Sequence, residues 1–282
     1  MNTPESNDFS LACDVFLEGN ALCLDSAIGC QDYHYVRPIL RIIEAVSSPY
    51  HHQSFYEDSL SEVTASLEKP VITISGTADY AWMLSKSPLI RALGNKATEA
   101  EICVSDACKT PLLSSQKAAS LIGIEPIVFK TDIRSNLAED QDLIITDAFL
   151  TQFPEPLDRL SILKTWRQSL KVGGFVISTV MLKNHDVQPS KNALKTFVEN
   201  SISLYEQSNF PNNWDVSTEI FTNAIRNYAS PSRSRIYDTE AELVNQIEES
   251  GLKIVDMQTK KIYSSPNEKI HNYRQLMLTR VD

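Results

Sequence analysis

Val71-Ile72-Thr73-Ile74-Ser75-Gly76 is the stretch on which the fold turns. Four β-branched residues run together and stop at a small polar residue and a glycine. That is the pattern of a short, fully buried strand ending in a tight turn. Upstream the texture differs. Tyr35 to Val46 places Val36, Ile39, Leu40, Ile43 and Val46 at three- and four-residue steps, which predicts an amphipathic helix, and residues 54–67 predict a second one. Downstream, strand and helix alternate. A helix is expected over Tyr80–Leu93, a strand over Glu101–Ser105 and a helix over Leu112–Ile122 ending at Gly123. Strands follow at Pro126–Lys130 and Leu143–Ile145, then a helix over Leu157–Leu170. Gly173-Gly174 then turns the chain into a fifth strand, Phe175–Val180. Short apolar strands alternating with helices imply a mostly parallel sheet covered on both faces.

Residues 184–236 interrupt that rhythm with two helices expected near 190–208 and 215–228. A helix over Thr239–Ser250 carries Glu242 three residues after Thr239, the spacing of a capping box, and stops at Gly251. Leu252–Gln258 and Tyr273–Thr279 read as two last strands with no helix between them, so one of them runs antiparallel. The expected architecture is a Rossmann-like, doubly wound α/β fold with a seven-stranded, mostly parallel sheet and an antiparallel last strand. A helical N-terminal cap occupies residues 1–69. The sheet domain occupies 70–282, with a helical cap insertion at about 184–236.

Composition excludes several classes. The chain has 282 residues, 42% hydrophobic and 22% charged, which is ordinary globular usage and enough to bury a core without disulfides. No run approaches the length of a membrane span, and the polar, acidic start is expected to carry no signal peptide. A formal charge of −10 argues against a general grip on nucleic acid or anionic membrane. The five cysteines form no Cys-x-x-Cys pair and the five histidines have no zinc spacing, so no metal is expected. Free thiols fit a reducing cytoplasm.

In open α/β sheets ligands bind beyond the carboxyl ends of the strands, where strand order reverses. The residues to question are therefore Ser75, Gly76, Thr77 and Asp79 after the first strand, Asp106 and Ala107 after the second, Asp132 and Ile133 after the third, and Asp147 after the fourth. Asp79, Asp106 and Asp147 could equally cap the helices that follow, and Asp132 could form a turn. His34, His51, His52 and His185 are the imidazoles open to a base role, with His34 placed ahead of His51 and His185. His51-His52 has no third ligand nearby, so a metal role is not expected.

The order of these elements resembles the class I S-adenosylmethionine-dependent methyltransferases over about residues 70–280. Asp142-Leu-Ile-Ile-Thr-Asp-Ala-Phe-Leu150 is similar to the family's fourth-strand motif, and Leu170-Lys-Val-Gly-Gly174 to its Leu-x-Pro-Gly-Gly turn with Val172 for proline. Tyr237 to Ile254 resembles its closing helix and strand. The usual acidic-x-Gly-x-Gly-x-Gly turn is represented by Ile72-Thr-Ile-Ser-Gly-Thr-Ala78, in which only Gly76 is a glycine; some members carry a Gly-Thr-Ala-Asp-Tyr type of turn, as here. The resemblance implies S-adenosyl-L-methionine as cofactor. Asp106 would bond its ribose hydroxyls, Asp132 and Ile133 would flank the adenine, and Asp79 would stand in for the missing acid. The function implied is methyl transfer to an oxygen or nitrogen of a small organic acceptor. The aromatic residues Tyr33, Tyr35, Phe55, Tyr56, Trp214, Phe221 and Tyr228 of the two cap segments suit a small-molecule substrate. The alternatives are a catalytically inactive methyltransferase-like binding or regulatory protein and, behind it, a nicotinamide-dependent oxidoreductase, which the absence of Gly-x-Gly-x-x-Gly disfavours. No nucleic-acid or membrane partner is expected, and the sequence leaves a homodimer open.

Overall fold

A computed structural model describes residues 10–18, 33–46, 48–76, 80–183, 192–208, 210, 216–229, 237–264 and 269–282. The strands are β1 (Val71–Ser75), β2 (Glu101–Asp106), β3 (Ile127–Lys130), β4 (Gln141–Ile145), β5 (Leu170–Leu182), β6 (Lys253–Ser264) and β7 (Lys269–Thr279). They form one sheet in the order β3-β2-β1-β4-β5-β7-β6. The first five are parallel, and β7 runs antiparallel to both β5 and β6. Strand order reverses between β1 and β4, so the topological switch point lies at their carboxyl ends.

The helices are α1 (10–18), α2 (Tyr33–Ile42), α3 (Gln53–Thr64), α4 (Pro88–Leu93), α5 (Lys109–Ser120), α6 (Pro156–Ser169), α7 (Ala193–Gln207), α8 (Thr218–Tyr228) and α9 (Glu240–Ser250). Two-residue alternation in the strands divides the interior. Ile72, Ile74, Ile102, Val104, Leu143, Ile145, Ile177 and Met277 face one apolar cluster, and Ile144, Val176, Leu276 and Leu278 face the other. The first cluster contains Leu11, Phe16, Val36, Ile39, Tyr56 and Leu60 as well as Phe221 and Ile225. The N-terminal helices and α8 thus share one continuous core with the sheet. The second cluster packs Ile162, Leu163 and Trp166 of α6 and Leu243 and Ile247 of α9 against the other face. Each fully buried aliphatic side chain of this kind contributes roughly 1.5–3 kcal/mol.

Four expectations change in detail. The helix expected over Tyr80–Leu93 is two pieces, a 3-10 turn at Tyr80–Met83 and α4. Pro88 forces Ser87 out of the helical region, to φ −62 and ψ 151, where its hydroxyl caps α4 by accepting from Ile90 N and donates to the Trp82 carbonyl. Gly173 and Gly174 do not precede the fifth strand but lie inside it, in a bulge between the Gln141↔Leu170 and Leu143↔Phe175 pairs. The last two strands run well past Gln258 and start before Tyr273, forming an arm longer than β1 to β4. The capping box is half made: Thr239 accepts from Glu242 N, but the Glu242 carboxylate bonds Asp238 N and buried Arg159 instead of the Thr239 amide.

Candidate active site

The switch point is built from the ends of β1, β2 and β4. Gly76 leaves β1 with φ +64, and its N–H donates to the Ser105 carbonyl at 3.0 Å, which fixes the turn beside the end of β2. A Cβ at Gly76 would lie 2.2 Å from the Phe149 ring. Both conformation and packing therefore require glycine here. Asp106 ends β2, is buried, and its Oδ1 accepts from Cys108 N at 2.8 Å, closing the turn into α5. Ala107 is half-buried beside it. Asp106 thus does what a turn carboxylate does while standing at the sheet edge next to Gly76.

Ser75 and Thr146 follow the paired residues Ile74 and Ile145 and so are neighbours on one face of the sheet. Both are fully buried, and Ser75 Oγ and Thr146 Oγ1 have no hydrogen-bond partner among the described residues.

Beyond β4 the chain turns sharply. Asp147 is 3% exposed, and its Oδ1 accepts from the Thr179 hydroxyl at 2.6 Å and the Tyr56 hydroxyl at 3.0 Å. Tyr56 OH also lies 2.7 Å from the Thr146 carbonyl. Ala148 has φ +51, unusual for a residue with a Cβ. Its N–H donates to both the carbonyl and the hydroxyl oxygen of Thr179, and its carbonyl accepts from Thr151 Oγ1. Backbone strain of this kind persists where the surroundings over-determine it and concentrates at functional sites. The Tyr56 hydroxyl is pushed well above its usual range, first by complete burial and then by the Asp147 charge.

His52 lies against the same network. It is 1% exposed, with Nδ1 3.1 Å from the Gln275 side-chain nitrogen and its ring edge-on to Tyr273 at 4.7 Å. Burial lowers its pKa, opposed in part by Asp147. Thr179 and Gln275 are paired across β5 and β7, which brings His52, Asp147 and Tyr56 to one place.

The remaining sequence candidates are scattered. Asp132 is exposed and its carboxylate is held bidentate by Arg134, which lowers its pKa; its backbone carbonyl accepts from Ser135 and Asn136. Ile133 is buried in the cluster that holds Trp166. His34 lies half-buried on α2, and His51 is exposed with Nδ1 accepting from Ser48 N. Thr77, Asp79 and His185 lie outside the described residues. The sequence raised His52 only as one of four possible bases and Tyr56 only among the cap aromatics, and it did not raise Thr179 or Gln275. Tyr56 follows a clear helical pattern and His52 adjoins His51, but nothing local joins either to β5 or β7. Among the described residues no group of three His, Cys, Asp or Glu is placed to hold a metal, and no helix is long and apolar enough to cross a membrane. Cys13, Cys103 and Cys108 are buried free thiols.

The sequence matches no protein-family model, and it matches no curated protein. Solved structures do match. An S-adenosylmethionine-dependent methyltransferase from Clostridium acetobutylicum aligns with 88% of this chain and 98% of its own, at 13% identity and a TM-score of 0.53. Magnesium protoporphyrin IX methyltransferase from Synechocystis, with bound S-adenosylhomocysteine, aligns with 97% of this chain and 99% of its own, at 13% identity and a TM-score of 0.52. The N-methyltransferase NodS from Bradyrhizobium japonicum, also with S-adenosylhomocysteine, aligns with 89% of this chain and all of its own, at 9% identity and a TM-score of 0.50. With the strand order β3-β2-β1-β4-β5-β7-β6 and the antiparallel β7, these likenesses show that the chain has the fold of the class I S-adenosylmethionine-dependent methyltransferases.

Proposed function

We propose that the chain is an S-adenosylmethionine-dependent methyltransferase acting on an oxygen or nitrogen of a small organic acceptor. The observation that carries this reading is the switch point between β1 and β4, flanked by Gly76, Asp106 and the two buried hydroxyls of Ser75 and Thr146 that lack partners among the described residues. Buried polar atoms are almost always satisfied, so a pair left unsatisfied at the ligand edge of the sheet fits a polar small molecule. Asp106, as an acceptor-only carboxylate, would hold ribose hydroxyls, with Ala107 alongside. Asp132 and Ile133 would stand at the adenine end, and Ser75 and Gly76, with Thr77, Asp79 and Asp147, at the amino-acid end. The cofactor supplies a methyl group on a positively charged sulfur, which needs little further activation.

The protein's task is then to orient the acceptor and exclude water. Tyr56, Trp82 and Phe149 line the ends of β1 and β4 with apolar surface, and residues 1–69 and 184–236 would act as a lid that sets substrate choice. If the acceptor loses a proton, His34, His51 and His185 are the candidate bases. The net charge of −10 favours a small acceptor over a polynucleotide, and a cytoplasmic location suits the free thiols.

Calorimetry with S-adenosylmethionine, S-adenosylhomocysteine and NADH tests the reading. Binding of the first two and not the third supports it. Binding of NADH alone would make the chain an oxidoreductase, and binding of none would make it a non-catalytic relative.

A further inference from the structure

Resting on the methyltransferase reading, we propose that His52 is a substrate-binding residue whose Nε2–H donates to a hydroxyl or carbonyl oxygen of the acceptor molecule. The ring's two nitrogens are in different situations. Nδ1 faces the Gln275 amide nitrogen at 3.1 Å, and an amide N–H can only donate, so Nδ1 accepts. Burial keeps the ring neutral at neutral pH, and a neutral ring that accepts at Nδ1 carries its proton on Nε2. Nε2 is buried and has no partner among the described residues. An unmet buried donor costs more than an ordinary hydrogen bond returns, so it asks for an acceptor atom.

A second donor is in the same condition nearby. Trp82 Nε1 is also buried without a partner among the described residues, and the Trp82 ring stands edge-on to Tyr56 at 4.9 Å. His52 stands edge-on to the same Tyr56 at 6.3 Å and to Tyr273 at 4.7 Å. Two buried N–H groups with no acceptor among the described residues therefore pack on one tyrosine, whose hydroxyl is bonded to Asp147 at the carboxyl end of β4. Both are donors, so the complementary group is an oxygen rather than an ammonium. The Asp147 charge on the same network disfavours an anion and leaves a neutral oxygen. The three aromatic rings around the site suit an aromatic body on the molecule that carries it.

The test uses protein labelled with 15N-histidine and saturated with S-adenosylhomocysteine, titrated with phenol, acetophenone and benzylamine as probes. The expected result is an Nε2-protonated His52 whose Nε2–H signal shifts with phenol or acetophenone and not with benzylamine. His52→Gln, which keeps a donor near the Nε2 position, should retain probe binding within about threefold. His52→Asn, which keeps only the Gln275 contact, should lose it about tenfold or more. An Nδ1-protonated ring, no response to either oxygen probe, a response to benzylamine alone, or His52→Asn binding better than His52→Gln would overturn the proposal. Failure of S-adenosylhomocysteine to bind counts against the methyltransferase reading instead, and the probe titration of the unloaded protein still decides the role of His52.

Discussion

The Tyr56 hydroxyl donates to Asp147 Oδ1 at 3.0 Å and lies 2.7 Å from the Thr146 carbonyl, joining α3 to the carboxyl end of β4 inside the core. With Thr179 it satisfies a carboxylate that is otherwise out of water. The two ends of this contact come from the N-terminal helices and the central sheet, so the strand end that defines the site is completed by the segment before β1.

Tyr56→Phe removes that donor and keeps the ring against Trp82 and Phe55. It leaves a buried carboxylate with one fewer partner, which costs about 1–3 kcal/mol. Urea unfolding should show a lowered midpoint with an unchanged slope. Wild-type stability in Tyr56→Phe would mean that Asp147 is held without the Tyr56 hydroxyl.

Gly76→Ala should be strongly destabilising. The left-handed backbone costs a non-glycine residue about 1–2 kcal/mol, and overpacking against the Phe149 ring about 1–3 kcal/mol more. Phe149→Ala in the same chain removes the clash but not the backbone term. A double-mutant cycle should therefore show a favourable coupling energy; additive effects would show that the ring simply swings aside.

Asp106→Ala should weaken S-adenosylmethionine binding by about 10- to 100-fold, the loss of charge-assisted bonds to hydroxyls. Asp132→Ala should weaken it less, because that carboxylate is already engaged by Arg134. Asp106→Asn retains an acceptor for Cys108 N and so separates loss of the turn from loss of the charge. Calorimetry on the three folded variants ranks them; an Asp106→Ala protein that binds as wild type contradicts the ribose assignment.

His52 predicts the direction of pH dependence. Its folded pKa lies below the ordinary histidine value of about 6.5, so the unfolded chain binds the extra proton first. Stability is then fully present above about pH 6.5 and falls on acidification, by up to about 1.4 kcal/mol per pH unit from this group until its folded pKa is reached. His52→Gln should flatten the urea midpoint between pH 7 and pH 5. An equally steep fall in that variant would assign the dependence to other groups.

The sheet was legible in the sequence because its information is local. Val71–Ile74 is a β-branched run and Leu143–Ile145 an apolar one, as suits strands buried on both faces, and Gly76, Gly123 and Gly251 all take positive φ where the pattern breaks. Asp106 could be placed at a strand end from its position alone. Sequence order also implied an antiparallel final strand, since a short connection cannot return to a parallel one. The tertiary structure decided what no window of residues contains. Whether Gly76 is needed for its conformation or for the ring it faces depends on Phe149, which arrives from the far side of β4. Which histidine meets the strand ends depends on Gln275, 223 residues away, and the sequence favoured His34 and His51 because exposure and helical phase say nothing about such a partner. Hydrophobic periodicity sets which face of a segment is buried; the polar contacts within that face are set by chain crossings, and those are properties of the folded sheet.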